Sequence, residues 1–166
     1  MLDINYFAFV IAAFVPMLVG FIWYGPLFGK TWMLQMGFAK ETLAGTNIIK
    51  VLLICYVLSF LIAFALMPMT VHQMGMYSTL AGEPDFTNQT SATYLYYEDF
   101  MTNYGDRFRT FKHGAFHGII YGFFLSMPVL TIQALFEKKT VKYILINAGY
   151  WLLTLAIMAG IVCKWV

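Results

Sequence analysis

Apolar and polar positions divide the chain into four long hydrophobic runs separated by two longer polar connections and one short one. The runs, at about 5–24, 48–69, 114–136 and 141–162, match the roughly 20 residues a helix needs to cross a hydrocarbon core about 30 Å thick. The first run carries no charge, and Lys50 near the start of the second can extend its ammonium to the interface. The pattern predicts an all-α integral membrane protein, a single four-helix domain over residues 1–166. Pro16 and Pro128 fall inside the first and third runs. Neighbouring helices can satisfy the carbonyls that proline frees, so kinks are expected there rather than ends. No basic region precedes the first run and no small-residue cleavage site follows it, so it is expected to be retained as a span.

The connection at 25–47 opens on the turn signal Gly25-Pro26, with Trp23, Tyr24 and Trp32 expected as membrane anchors at headgroup depth. Residues 31–36 can form a short interfacial helix. The connection at 70–113 is long for so small a protein. Its first half, through Gly82-Glu83-Pro84-Asp85, is turn-rich. In its second half Tyr94, Tyr97, Met101, Tyr104, Phe108 and Phe111 recur at spacings of three and four. That periodicity predicts a long amphipathic helical insertion between helices two and three, running into the third span through Lys112-His113. Such a helix caps the bundle or offers an aromatic docking face to a partner.

Composition sharpens this picture. Sixty-one per cent of residues are hydrophobic and 11% charged, where a soluble domain has about a quarter charged, so the solvent of this chain is largely lipid. A formal charge of +2 gives no footing for nucleic-acid binding. Cys55 and Cys163 both lie in apolar runs, which yields neither a disulfide framework nor a metal knuckle. Lys30, Lys40, Lys50, Lys138, Lys139 and Lys142 flank one side of the spans, and Arg107, Arg109, Lys112 and Lys164 the other. This modest bias predicts an inner (cytoplasmic) membrane protein with both termini outside.

Two constellations stand out. Gly114, Gly118, Gly122 and Ser126 repeat every four residues on helix three, and Ala8, Ala12 and Gly20 form a weaker counterpart on helix one. Small stripes let helix backbones approach closely in lipid, either within one bundle or against another subunit. His113 and His117 are one helical turn apart, and His72 lies just beyond helix two on the same predicted side. Imidazoles at i and i+4 can share a metal, with His72 as a third candidate ligand and Glu98, Asp99 or Asp106 as oxygen donors, although the glutamate of HExxH is absent. The spans hold no midplane Asp, Glu, Lys or Arg, and no nucleotide-binding or hydrolase motif occurs. Midspan polarity is confined to residues such as Ser126, Thr131, Gln133 and Asn147.

The string Trp23-Tyr24-Gly25-Pro26-Leu27-Phe28-Gly29-Lys30-Thr31-Trp32-Met33, followed by Met36-Gly37, resembles the signature of a family of small, mostly bacterial membrane proteins catalogued as domain of unknown function 1761. His113-Gly114, Pro128, Leu135-Phe136-Glu137, Ile146-Asn147-Ala148-Gly149-Tyr150 and Trp165 agree with it. The resemblance implies a four-helix membrane-embedded fold and supplies no catalytic residues. On the sequence alone the leading expectation is a non-enzymatic protein that acts through helix packing. It would serve as an accessory subunit of a larger membrane complex or as a homo-oligomer, with the bilayer and a protein as partners and no resident cofactor. A small-solute permease or channel, and a metal- or haem-binding protein using paired histidines, are the alternatives.

Overall fold

The computed structural model describes residues 4–37 and 47–166, and these are helical throughout apart from short connections. Residues 1–3 and 38–46, with the orientation-bearing Lys40, lie outside the described residues. Helix α1 (Phe7–Ile22) passes through a wide π-turn at Trp23–Leu27 into α2 (Gly29–Met36). Then come α3 (Ile48–Thr70), α4 (Gln73–Leu80) and α5 (Ala92–Tyr104). Helix α6 (Phe111–Tyr121) continues through a second π-turn at Gly122–Ser126 into α7 (Met127–Phe136), and α8 (Val141–Trp165) closes the chain. Four of these units are long and apolar enough to cross a membrane: Phe7–Leu27, Ile48–Thr70, Phe111–Phe136 and Val141–Trp165.

Local chemistry fixes the ends. The side chains of Asn47, Ser91, Thr110 and Thr140 accept from the backbone N–H of Lys50, Tyr94, His113 and Tyr143, closing the first turns of α3, α5, α6 and α8. Pro16 lies inside α1 without ending it. Pro26 and Pro128 lie within and just after the two π-turns, where a wider turn accommodates a ring that has no N–H to give.

The fourth span is the hub. It packs on all three others, with 61% of its apolar window buried against 11% for the second and the third. The third span lies closest along it, because the glycine stripe lets the backbones meet. A Cβ on Gly114 would overlap the Ala159 carbonyl, and one on Gly118 the Leu155 carbonyl. One on Gly122 would come within 2.9 Å of Leu152. The stripe is thus occupied within the chain. Ala8 and Ala12 are buried in the same core as Phe9 and Met158, whereas a Cβ at Gly20 would make only ordinary contact with the Tyr150 ring at 3.7 Å. The second and third spans touch each other little.

The aromatic motif after α1 faces inward. Trp23 Nε1 donates to the Ile146 carbonyl at 3.0 Å, and the Tyr24 hydroxyl donates to Asn147 Oδ1 at 2.8 Å. Trp32 packs against Tyr24 with ring centres 5.3 Å apart. These side chains are half-buried and tie the first span to the fourth. Tyr24→Phe is expected to cost about 1 kcal/mol, read as a melting temperature lower by roughly 2–4 °C in detergent.

The insertion departs from the single helix that its periodicity predicts. Helix α5 stops at Gly105, Phe108 takes a left-handed φ of 65°, and a new helix starts at Phe111. The reason is that the aromatic side chains have separate places to go. Tyr97 is buried between Tyr77 and Phe86, and Tyr94 lies against Phe86. Tyr104 packs on Phe100. Phe111 covers Gly160, where a Cβ would lie 2.6 Å from its ring. Burial, with Tyr77 and Tyr94 nearby, pushes the Tyr97 hydroxyl above its ordinary pKa.

Candidate metal centre

The second span ends at Thr70, whose hydroxyl donates to the Leu66 carbonyl, and Val71 turns extended. His72 therefore stands at a break between two helices. His113 and His117 lie one turn apart at the start of the third span. The fold brings all three together: His72 Nε2 is 2.9 Å from His113 Nε2, which is 3.1 Å from His117 Nε2. His72 is exposed, and the other two are half-buried.

Three elements hold this geometry. Gln73, 3% exposed, donates through Nε2 to the carbonyls of Tyr104 and Arg107 at 2.9 Å each, pinning the α5–α6 connection beside His72. Arg109 Nε donates to the Cys163 carbonyl at 3.0 Å, fixing that connection to the end of α8. The buried Cys163 thiol faces the carbonyls of Thr70 and Phe108 at 3.5 and 3.4 Å, joining three segments at one point. Phe108 stacks on His113 with ring centres 5.0 Å apart, and Tyr121 stacks on His117 at 6.3 Å.

Hydrogen bonding alone does not account for the arrangement. A ring nitrogen carries either one hydrogen or one lone pair, so His113 Nε2 can satisfy one close imidazole partner well, and here it faces two. Ligands around one ion have no such limit. Tetrahedral zinc with Zn–N bonds of about 2.0–2.1 Å separates its nitrogens by roughly 3.3 Å. The observed 2.9 and 3.1 Å lie within a few tenths of that value. The three histidines offer ligand atoms all within 4.8 Å of one another, and among the described residues Glu98, Asp99 and Asp106 do not join them.

A family profile described as "Protein of unknown function (DUF1761)" matches residues 7–163. The chain belongs to that family. The match contains all three histidines of this DUF1761 member and the glycine stripe beside them. Comparisons with curated proteins and with solved structures gave no match.

The sequence places His113 and His117 on one face of this DUF1761 protein with His72 as a third candidate, and the fold brings His72 against His113 from 41 residues away. The supporting roles of Gln73, Arg109 and Cys163 carry no sequence signal, since each depends on which loop meets which helix end. Three of the polar midspan residues are taken up separately. Asn147 bonds Tyr24 and the Tyr143 carbonyl, Thr131 bonds the Met127 carbonyl, and Gln133 bonds Glu137 at the end of its own helix.

Proposed function

We propose that this protein is a membrane-embedded transition-metal-binding protein whose centre is His72, His113 and His117. The observation that supports this reading is the meeting of three imidazoles whose ligand atoms lie within 4.8 Å of one another, with one nitrogen facing two others. Neutral imidazoles suit Zn²⁺, Cu, Fe and Ni, and three protein ligands leave a position for water or an exogenous group, the pattern of reactive rather than closed structural sites. Nitrogens this close leave no slot for a macrocycle between them, so a bare ion is favoured over haem.

In the same reading the metal end of the bundle faces the outer side of a bacterial cytoplasmic membrane. Lys30, Lys50, Lys138, Lys139 and Lys142 favour the cytoplasm for the opposite end. An accessory or self-associating role draws on the absence of midspan charge, the aromatic outer helix and the glycine stripe. That stripe is taken up by the fourth span of the same chain, so the histidine cluster carries the functional reading instead.

The test is elemental analysis of protein purified without chelator, followed by Co²⁺ titration of the metal-stripped protein. One ion per chain and the absorption bands of low-symmetry cobalt are expected, with affinity falling on acidification because protons compete for the same nitrogen lone pairs. Protein that emerges metal-free and leaves the cobalt spectrum unchanged would overturn the reading.

A further inference from the structure

Below the histidines, within the spans, a groove of about 410 Å³ runs between the second and third spans with the fourth as its floor. Its walls are apolar, formed by residues such as Ile62, Met69, Val129, Trp151 and Leu155. The volume falls in the range of roughly 300–1,000 Å³ typical of small-molecule sites. It exists because these two spans touch little while both pack on the fourth.

The groove ends at Tyr121, one helical turn from His117 of the histidine cluster. Tyr121 lines the groove, donates its hydroxyl to the Met69 carbonyl at 3.2 Å and stacks on His117. His113, His117, Tyr121 and Leu125 follow one another at intervals of four, so one face of the third span leads from the cluster into the groove. On the facing wall, Met69 lines the groove three residues before His72. On its other side His72 borders a second cavity of about 310 Å³, whose lining includes Arg107. The Arg107 guanidinium lies over the rings of Tyr104 and Phe108, at 5.6 and 5.5 Å. Asp106 is the neighbouring acid in sequence, and it does not line that cavity. The sequence of environments is thus apolar slot, imidazole cluster, cation.

We infer that the metal centre serves a membrane amphiphile: one hydrocarbon chain lies in the groove while an anionic phosphate head reaches the open position of the metal, beside Arg107. This rests on the metal-binding reading and names the ligand class for that site. A hydrocarbon chain in a slot that opens within the spans needs no transfer through water, and a phosphate oxygen is a ligand for a borderline divalent ion. Free phosphate would share the head chemistry and lack the chain.

The experiment uses full-length protein in lipid nanodiscs, loaded with Co²⁺ and titrated with decyl phosphate or with inorganic phosphate. The expected result is a change in the cobalt spectrum at a decyl phosphate concentration at least tenfold below that required for inorganic phosphate. Ala65→Trp, at an exposed position on the groove wall, is expected to raise the required decyl phosphate concentration at least tenfold while cobalt affinity is kept. Val129→Trp, also exposed, is a second variant in case the first does not fold, and retained cobalt binding reports the fold of either. If the two phosphates act alike, or the groove-filled variants respond as wild type does, the amphiphile inference is overturned and the metal reading stands. A wild-type protein that does not bind cobalt overturns both.

Discussion

Gly118→Leu is expected to abolish the folded bundle. The third span lies so close to the fourth that even a methyl group at Gly118 would overlap the Leu155 carbonyl and come within 2.7 Å of the Ala156 Cα. Where the crowded neighbour is a side chain, overpacking costs about 1–3 kcal/mol, because rotamers can give. Here the neighbour is backbone on the most buried helix of the protein, so the spans must separate. A loss of at least ~3 kcal/mol follows, a fall of roughly 6–12 °C in melting temperature if any folded fraction survives. Size-exclusion profiles and thermal unfolding in a mild detergent provide the readout. Gly20→Ala is the matched control. Its Cβ would meet Tyr150 at an ordinary 3.7 Å, and alanine favours the helix by about 0.5–1 kcal/mol, so the variant should be as stable as wild type or slightly more so. A Gly118→Leu protein with wild-type stability would show that the two spans do not meet along this stripe.

The second large effect belongs to His113→Ala. Its Nε2 is the nitrogen that faces both others, so removing it would take away one of the three proposed ligands and leave His72 and His117 without their common neighbour. Loss of an outer-shell partner alone typically lowers metal affinity by about 10–100-fold, and loss of a direct ligand should exceed that. A drop of more than about a hundredfold in Co²⁺ affinity is therefore expected. Competition against a chromophoric chelator measures it. The metal-free variant should unfold near the wild-type temperature, since His113 is only half-buried and the core is built elsewhere. Unchanged affinity in His113→Ala would remove the histidine cluster as the metal site.

These two results would probe different kinds of information. The close-packed third span is legible in the sequence, because glycines every four residues leave one face of a helix without side chains. What they pack against is not legible there. Three other spans were available, and only the assembled bundle pairs Gly114 with Ala159 and Gly118 with Leu155. The aromatic periodicity of residues 94–111 likewise signals helix, yet Gly105 and the left-handed Phe108 break it. Periodicity reports that side chains share a face only if the backbone runs straight. Here Tyr97, Phe108 and Phe111 are drawn to three different surfaces.

The amino-acid pattern alone sets the four membrane-length helices, their approximate limits and the all-helical class. A run of some 20 apolar residues in lipid must satisfy its backbone internally, and the helix does this from local sequence alone. It also determined that His113 and His117 share a face, by the helical repeat. The assembled bundle adds the contact that brings His72, a candidate from the sequence, to 2.9 Å from His113, the bonds by which Gln73, Arg109 and Cys163 lock the loops around the cluster, and the groove between the second and third spans. These features depend on where helix ends meet and on which pairs of spans stay apart, and no residue's immediate neighbours in the chain encode either.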